Sequence, residues 1–381
     1  MGSFIFFDTK LRIFRSNLKE HIRSRGSCDI CIHRENIFEE AFQALNSKSL
    51  PEFLSPIHVN YINEAGSDAG GLARDFYSAI TQQMFSPSFG LFDVHPQSGV
   101  RPTSKPADKP LLDRLRFAGK MVAKAITEYQ TLNVVLSPVL LKQILGHPLT
   151  FADLQQTDNE LYQSLNQILT NPLEDETYFE LTVPSSSPDQ PPTTHELKPN
   201  GSETAVTEAS KAEFVMLYAL HALNPFNFEQ TSAFVDGFLS VIPRSLLTLF
   251  DSHDLDLLIS GTPTLNIHEI KHAVRYSGYT ISSPQIKQLW YLVDHFTPDL
   301  QSKFLRFFTG LSRLPSGGIK NLTDNRGNKA TLQISSSSNP RRLPEAHTCS
   351  FHLVLPSYPD YRTLRKKLLQ AMKDSGDFGM L

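Results

Sequence analysis

Cysteine is close to absent. Cys28, Cys31 and Cys349 are the only three among 381 residues, too few and too unevenly placed for a disulfide framework, and no positively charged, apolar signal segment opens the chain. An intracellular, reducing setting is expected, cytoplasmic with the nucleus also open. Long apolar runs are missing too, and no stretch reaches the roughly 20 residues that a membrane-spanning helix needs. Nor is charge massed: 36 lysines and arginines are dispersed against 39 acidic residues, for a net charge of −3, which leaves no electrostatic footprint for nucleic acid or an anionic membrane. A protein surface is the expected partner.

What the chain does contain is enough apolar sequence, 40% of 381 residues, to build more than one core, and two or three compact units are expected from its length. Most of it reads as short amphipathic helices. Glu35–Leu45 carries Ile37, Phe38, Ala41, Phe42 and Leu45 at helical spacing, and Leu111–Thr127 carries Leu112, Leu115, Ala118, Gly119, Val122 and Ile126 on one stripe, so each is expected to bury one face. Further helices are predicted at about Pro138–Leu145, Asn159–Leu169, Lys211–Leu223, Glu229–Val241, Ser283–His295 and Asp299–Thr309. Strand-like alternation is scarcer, at His58–Asn63, Thr331–Ser335 and Ser350–Leu355. The fold class expected is α+β, dominated by helix, without the βαβ rhythm of a doubly wound sheet.

Two breaks interrupt this pattern. PSSSPDQPPTTHELKPNG, Pro184–Gly201, is proline and small polar residues, which bury too little surface to order themselves, and reads as a loop or insertion. Ser260-Gly261-Thr262-Pro263-Thr264 divides the chain into about two thirds and one third, and its glycine and proline make it a hinge candidate.

Three stretches invite a chemical reading. EAGSDAGGLARDF, Glu64–Phe76, is glycine-rich ahead of a helix, but Gly70-Gly71 is followed by Leu72-Ala73 where a phosphate-binding loop needs lysine and serine or threonine. A tight turn with Ser67 or Asp68 near the helix start is preferred. Cys28-Asp29-Ile30-Cys31 with His33 looks like a fragment of a zinc site or a redox CxxC, yet the segment alternates as if extended, which sends the two thiols to opposite faces. Two half-buried structural thiols are expected there, and no metal. Cys349 follows His347-Thr348 and precedes a short apolar strand. It is either an inert buried thiol or a nucleophile, and an extended backbone would set His347 on its side of the chain.

The flanking residues decide between these. LPEAHTC at Leu343–Cys349, LPSY at Leu355–Tyr358 and a basic helix ending in Phe378-Gly379-Met380-Leu381 resemble the end of HECT-type ubiquitin-protein ligases. INEAGSDAGGLARDFY (62–77), FAGKMVAKAI (117–126), ELKPNG (196–201), AFVDGFLSVIP (233–243) and FLRFFTGLSRLP (304–315) resemble further segments of that family, in order, so the similarity covers nearly the whole chain.

The resemblance implies a bilobal domain: an N-terminal lobe at 1–262, with a sub-lobe at about 160–240 that holds the ubiquitin-conjugating enzyme, and a C-terminal lobe at 263–381 carrying the catalytic cysteine. It implies a ligase that takes ubiquitin as a thioester on Cys349 and passes it to lysines of protein substrates, with no cofactor, metal or ATP site. Thr348 and His347 are implied to shape the loop, Phe378 to help transfer to the acceptor, with Asp377 or the terminal carboxylate of Leu381 as candidate bases. The conjugating enzyme is implied to meet an apolar groove at Leu161, Leu165, Phe179, Phe214 and Tyr218, and Gly261, Thr262 and Pro263 to form the hinge. Ser350, Asp377 and Ser210 depart from the residues usual in the family. A thiol hydrolase and an inactive scaffold are the other function classes.

Overall fold

The computed structural model describes residues 5–22, 26–63, 71–95, 98–173, 177–183, 193–223, 228–262, 265–311, 313–315, 317–323 and 329–377. Helix α1 (Phe7–His21) turns Leu11, Phe14 and Leu18 inward at helical spacing. Strand β1 (Cys28–Ile32) alternates buried and exposed at every position. So does β2 (Ile57–Tyr61), its parallel partner, with Cys28 opposite Ile57 and Ile32 opposite Tyr61. Helices α2 (Ile37–Asn46) and α3 (Leu50–Leu54) fill the crossover between them. Helix α4 (Gly71–Met84), the hairpin β3 (Phe92–His95) and β4 (Gly99–Pro102), the long helix α5 (Lys109–Thr127) and α6 (Pro138–Leu145) complete the first pass through this core.

The chain then leaves it. Helices α7 (Leu154–Thr157) and α8 (Asn159–Thr170), the antiparallel pair β5 (Glu180–Val183) and β6 (Thr193–Glu196), and α9 (Lys211–Leu223) surround a separate cluster that includes Leu154, Leu165, Phe179, Phe214 and Leu223. Helices α10 (Phe228–Leu239), α11 (Arg244–Leu247) and α12 (Ser252–Ser260) return to the first core. A third cluster runs from Ile267 to Met372. It is built from α13 (Ile267–Ala273), β7 (Arg275–Ser277), α14 (Pro284–Asp294), α15 (Pro298–Thr309), β8 (Gln333–Ser337), β9 (Glu345–His347), β10 (His352–Pro356) and α16 (Tyr361–Asp377). Its sheet has the order β7-β8-β10-β9, parallel except for the β10–β9 pair.

Helix α5 departs from the one-sided burial its stripe predicts. Leu115, Ala118, Gly119, Val122 and Ile126 are inward, but Phe117, Met121, Ala123, Lys124 and Ala125 are buried as well. The reason is that α2, α10 and α12 all pack on it. At the α5–α10 crossing a Cβ on Gly119 would stand 2.0 Å from the Phe234 carbonyl oxygen, and one on Gly237 only 1.8 Å from that of Arg116. Only glycine permits so close an approach of two backbones. Lys124, fully buried, is satisfied by the carbonyls of Phe53 (2.5 Å) and Ser55 (2.9 Å) and by Glu128 at 2.8 Å, so its ammonium ties α5 to α3 and the approach to β2.

One further expectation is corrected. The proline-rich segment is ordered at its far end, where 193–196 is strand and 201–203 a single 3-10 turn, because β5 supplies the backbone partners that its composition does not. Parallel pairing is also present, at β1–β2 and through β7, β8 and β10. Strands β3 to β7 and β9 are only three to four residues long, too short to register as alternation.

Candidate active site

Strands β9 and β10 pair antiparallel with His347 opposite His352, and the four residues between them, Thr348 to Phe351, form the tip of a tight hairpin. Thr348–Ser350 is one turn of 3-10 helix. Phe351 closes it in the left-handed region at φ +52°, a strained conformation for a bulky residue. The strain is held by burial: the Phe351 ring is 2% exposed, and its carbonyl accepts from the Gln333 N–H at 2.9 Å. The backbone of Cys349 therefore lies at a hairpin tip between a strand and a 3-10 turn. It is not extended, and the alignment of His347 with Cys349 along one side of a strand does not arise.

Both sides of the tip carry imidazole. His347 is exposed, its ring centroid 5.7 Å from that of His352, and His352 Nε2 lies 2.7 Å from Ser335 Oγ. Burial, then the neighbouring His347, pushes His352 below the usual histidine range. The hairpin base is braced by Tyr358, whose hydroxyl donates to the Arg342 carbonyl at 2.7 Å, and by Tyr279, which donates to the Leu355 carbonyl at 3.0 Å.

One neighbour comes from far away in sequence. The Arg74 guanidinium on α4 is buried, donates from Nη1 to the Thr348 carbonyl oxygen at 2.6 Å, and lies over the Phe351 ring at 4.2 Å. Sequence reading passed over Arg74 while weighing its glycine-rich surroundings. A signal was there: Arg74, Tyr77 and Thr81 share one helical stripe, and all three are buried, so a cation stands where the pattern asks for an apolar side chain.

The other predicted residues divide. Leu165, Phe179 and Phe214 are 3%, 0% and 3% exposed and make the core of the α8–α9 unit, with the Phe179 and Phe214 rings edge to face at 5.8 Å. They are not an open groove in this structure, because they pack in one buried cluster with Leu154, Leu197, Val215 and Leu223. Leu161 and Tyr218 are half-buried beside them, and the outer side of α9 shows Met216 exposed with Leu217 and Leu220 half-buried. Gly261 ends α12 with φ +73° and ψ −171°, and a Cβ there would stand 2.2 Å from the Leu314 carbonyl oxygen. That same oxygen accepts from the Thr262 N–H at 2.9 Å. Pro263 and Phe378 lie outside the described residues, as do Ser67, Asp68 and Leu381.

Cys28 and Cys31 do separate to opposite faces, but neither is half-buried: Cys28 is inside and Cys31 exposed, as the alternation of β1 requires. Burial raises the Cys28 thiol above its usual value. Among the described residues, no group of three or more histidines, cysteines, aspartates or glutamates could hold a metal ion, and no helix is long and apolar enough to cross a membrane.

A model of the HECT-domain (ubiquitin-transferase) family matches residues 78–381. Across 98% of its length the chain is 32% identical to the mouse E3 ubiquitin-protein ligase HUWE1, to UPL2 of Arabidopsis thaliana and to RSP5 of Chaetomium thermophilum. It spans 9%, 10% and 46% of those proteins, and so covers less than half the length of each. The α+β architecture, the hairpin-borne cysteine and these matches agree, and the chain belongs to the HECT-domain family of ubiquitin transferases.

Proposed function

We propose that this chain accepts ubiquitin from a charged ubiquitin-conjugating enzyme as a thioester on Cys349 and transfers it to lysines of protein substrates. The observation that carries the reading is a cysteine at a hairpin tip in a chain that matches a transferase family over most of its length. In the first step the Cys349 thiolate attacks the thioester carbonyl of ubiquitin and expels the thiolate of the conjugating enzyme. In the second a lysine amine attacks the new thioester, loses a proton, and expels the Cys349 thiolate, leaving an isopeptide bond. Each step passes through a tetrahedral oxyanion. Within a 3-10 turn the first amides have no acceptor of their own, which suits the N–H groups at 349 and 350 to donate to that oxygen. Thr348 and His347 shape the loop, and Phe378 assists the acceptor step, with Asp377 as a candidate to take the amine proton.

The catalytic lobe in this reading is 263–381, the N-terminal lobe 1–262, and the sub-lobe that receives the conjugating enzyme narrows to about 154–223, because α10 packs on α5 in the first core, with Gly261, Thr262 and Pro263 as pivot. The docking face includes Leu161 and Tyr218 and extends to Met216, which is 46% exposed on a helix that is apolar around most of its circumference. Leu165, Phe179 and Phe214 support that face from beneath. The setting is the cytoplasm or nucleus, where thiols stay reduced.

The test is incubation with ubiquitin-charged conjugating enzyme and separation without reductant. A reductant-sensitive ubiquitin adduct at Cys349 is expected, followed by isopeptide product when lysine is supplied. Discharge to free ubiquitin alone, or no discharge, would refute the reading. Met216→Glu should weaken engagement of the conjugating enzyme while the chain stays folded.

A further inference from the structure

We propose that Arg74 is a positioning residue for transfer: a clasp by which the first unit of the fold holds the Cys349 hairpin in the pose that delivers ubiquitin to lysine. The inference rests on the ubiquitin-transfer reading above and goes beyond it by assigning a step to a residue 275 positions before the nucleophile in sequence.

Three observations converge on it. The Arg74 side chain is only 4% exposed, its Nη1 donates to the Thr348 carbonyl at 2.6 Å, and its guanidinium covers the Phe351 ring at 4.2 Å. It therefore grips both ends of the four-residue tip, with Cys349 between. Planarity matters here, because a guanidinium can donate in its plane and stack with its face at once, which an ammonium cannot. The carboxylate next in sequence, Asp75, is engaged by Arg34. Helix α15 closes the third side: a Cβ on Gly310, at its C-terminal end, would lie 3.4 Å from Thr348 Cβ and 3.8 Å from Arg74 Cδ.

The clasp also selects a step. The tip packs on α4 and α15, whereas the proposed docking face for the conjugating enzyme belongs to the unit of α8, β5, β6 and α9. A hairpin held to α4 is not being offered to that unit, so the clasped arrangement serves the stage after loading. Peptide geometry sets the Cys349 Cα within about 3 Å of the Thr348 oxygen. Arg74 thus fixes the backbone that carries the thioester, and small misplacement of a reacting centre is costly. A shift of about 1 Å can lower a rate about 100-fold.

Single-turnover assays on the full chain, following thioester and isopeptide separately, test this. In Arg74→Gln, loading of Cys349 should change by no more than about threefold while transfer to lysine falls by about 100-fold, the loss expected for misplacement. Arg74→Lys should recover part of the transfer rate, since an ammonium keeps the bond to Thr348 but not the stacking. Unchanged or faster transfer in Arg74→Gln would overturn the clasp, and so would equal losses in both steps. If the unaltered chain forms no thioester, the functional reading has failed instead. Should Arg74→Gln not fold, the unaltered chain still decides: an arginine-directed dicarbonyl reagent, read by peptide mass spectrometry, should leave Arg74 protected while exposed Arg12 and Arg365 react. Reaction of Arg74 at their rate would mean the clasp is open in solution.

Discussion

Cys28 starts a strand of a parallel pair and Cys349 lies between the two strands of an antiparallel one, and the fold treats them in opposite ways. Cys28 begins β1 on its inward face, fully enclosed, with the thiol raised by burial. Cys349 stands where the chain reverses, between β9 and β10, with two imidazoles and a guanidinium around the turn. A low-dielectric enclosure disfavours a thiolate, which suits Cys28 to packing rather than to chemistry. In the function proposed above, the reactive thiol is set apart by where the backbone turns rather than by its residue type.

The largest expected effect separates the two thiols outright. Cys349→Ser should abolish the reductant-sensitive ubiquitin adduct, leaving at most a reductant-resistant oxyester, while Cys28→Ser and Cys31→Ser still form the thioester in non-reducing gels. If Cys349→Ser kept a reducible adduct, the contrast would collapse.

Next comes the enclosure itself. Lys124→Ala removes the ammonium that satisfies Glu128 and two carbonyls beside β1 and β2, and should cost about 3–5 kcal/mol in denaturant titrations. A loss below about 1 kcal/mol would mean that water replaces the ammonium freely. Cys28→Ser asks for less. Placing a hydroxyl in the same pocket should cost about 1–3 kcal/mol, without altering loading of Cys349 once the protein is folded.

The smallest effects are in pH. Since the Cys28 thiol is raised on folding, its contribution is fully present below the unfolded thiol pKa, about 8.5, and is lost as pH rises through the folded value. His352 has the reverse sign. Its lowered value means that the unfolded chain binds more protons, so stability should decline as pH falls below about 6.5. Thermal melts between pH 5 and 10 should therefore show an alkaline loss missing from Cys28→Ser and an acid loss reduced in His352→Gln. Identical profiles would place the pH dependence elsewhere.

How much of this could be read beforehand depends on the range of the interaction. Periodicity found α9 at Lys211–Leu223 and the inward-outward split of Cys28 and Cys31, because both are decided by the nearest turn or neighbour. Family membership was legible from the motif that flanks Cys349. Burial of Phe179 and Phe214 was not, since i, i+4 spacing describes a face without saying what covers it. Arg74 was least legible: its partners are a backbone carbonyl and a ring in the last unit of the fold, and no local pattern encodes a contact across 274 positions.

The α5–α10 crossing has a consequence for how the chain becomes a fold. Its two glycines, Gly119 and Gly237, lie 118 positions apart, and the whole unit of α7, α8, β5, β6 and α9 is threaded between them. The first hydrophobic cluster cannot close until α10 has left the ribosome, while the intervening unit has its own cluster and can order itself earlier. At a synthesis rate of roughly 5–20 residues per second, α5 waits roughly 6–24 seconds for its partner. During that interval α2 can already cover Phe117 through Phe38 and Phe42, but the face of α5 at Gly119 lacks its partner. Co-translational folding should then proceed from the inserted unit outward, with α5 as the segment most in need of a chaperone.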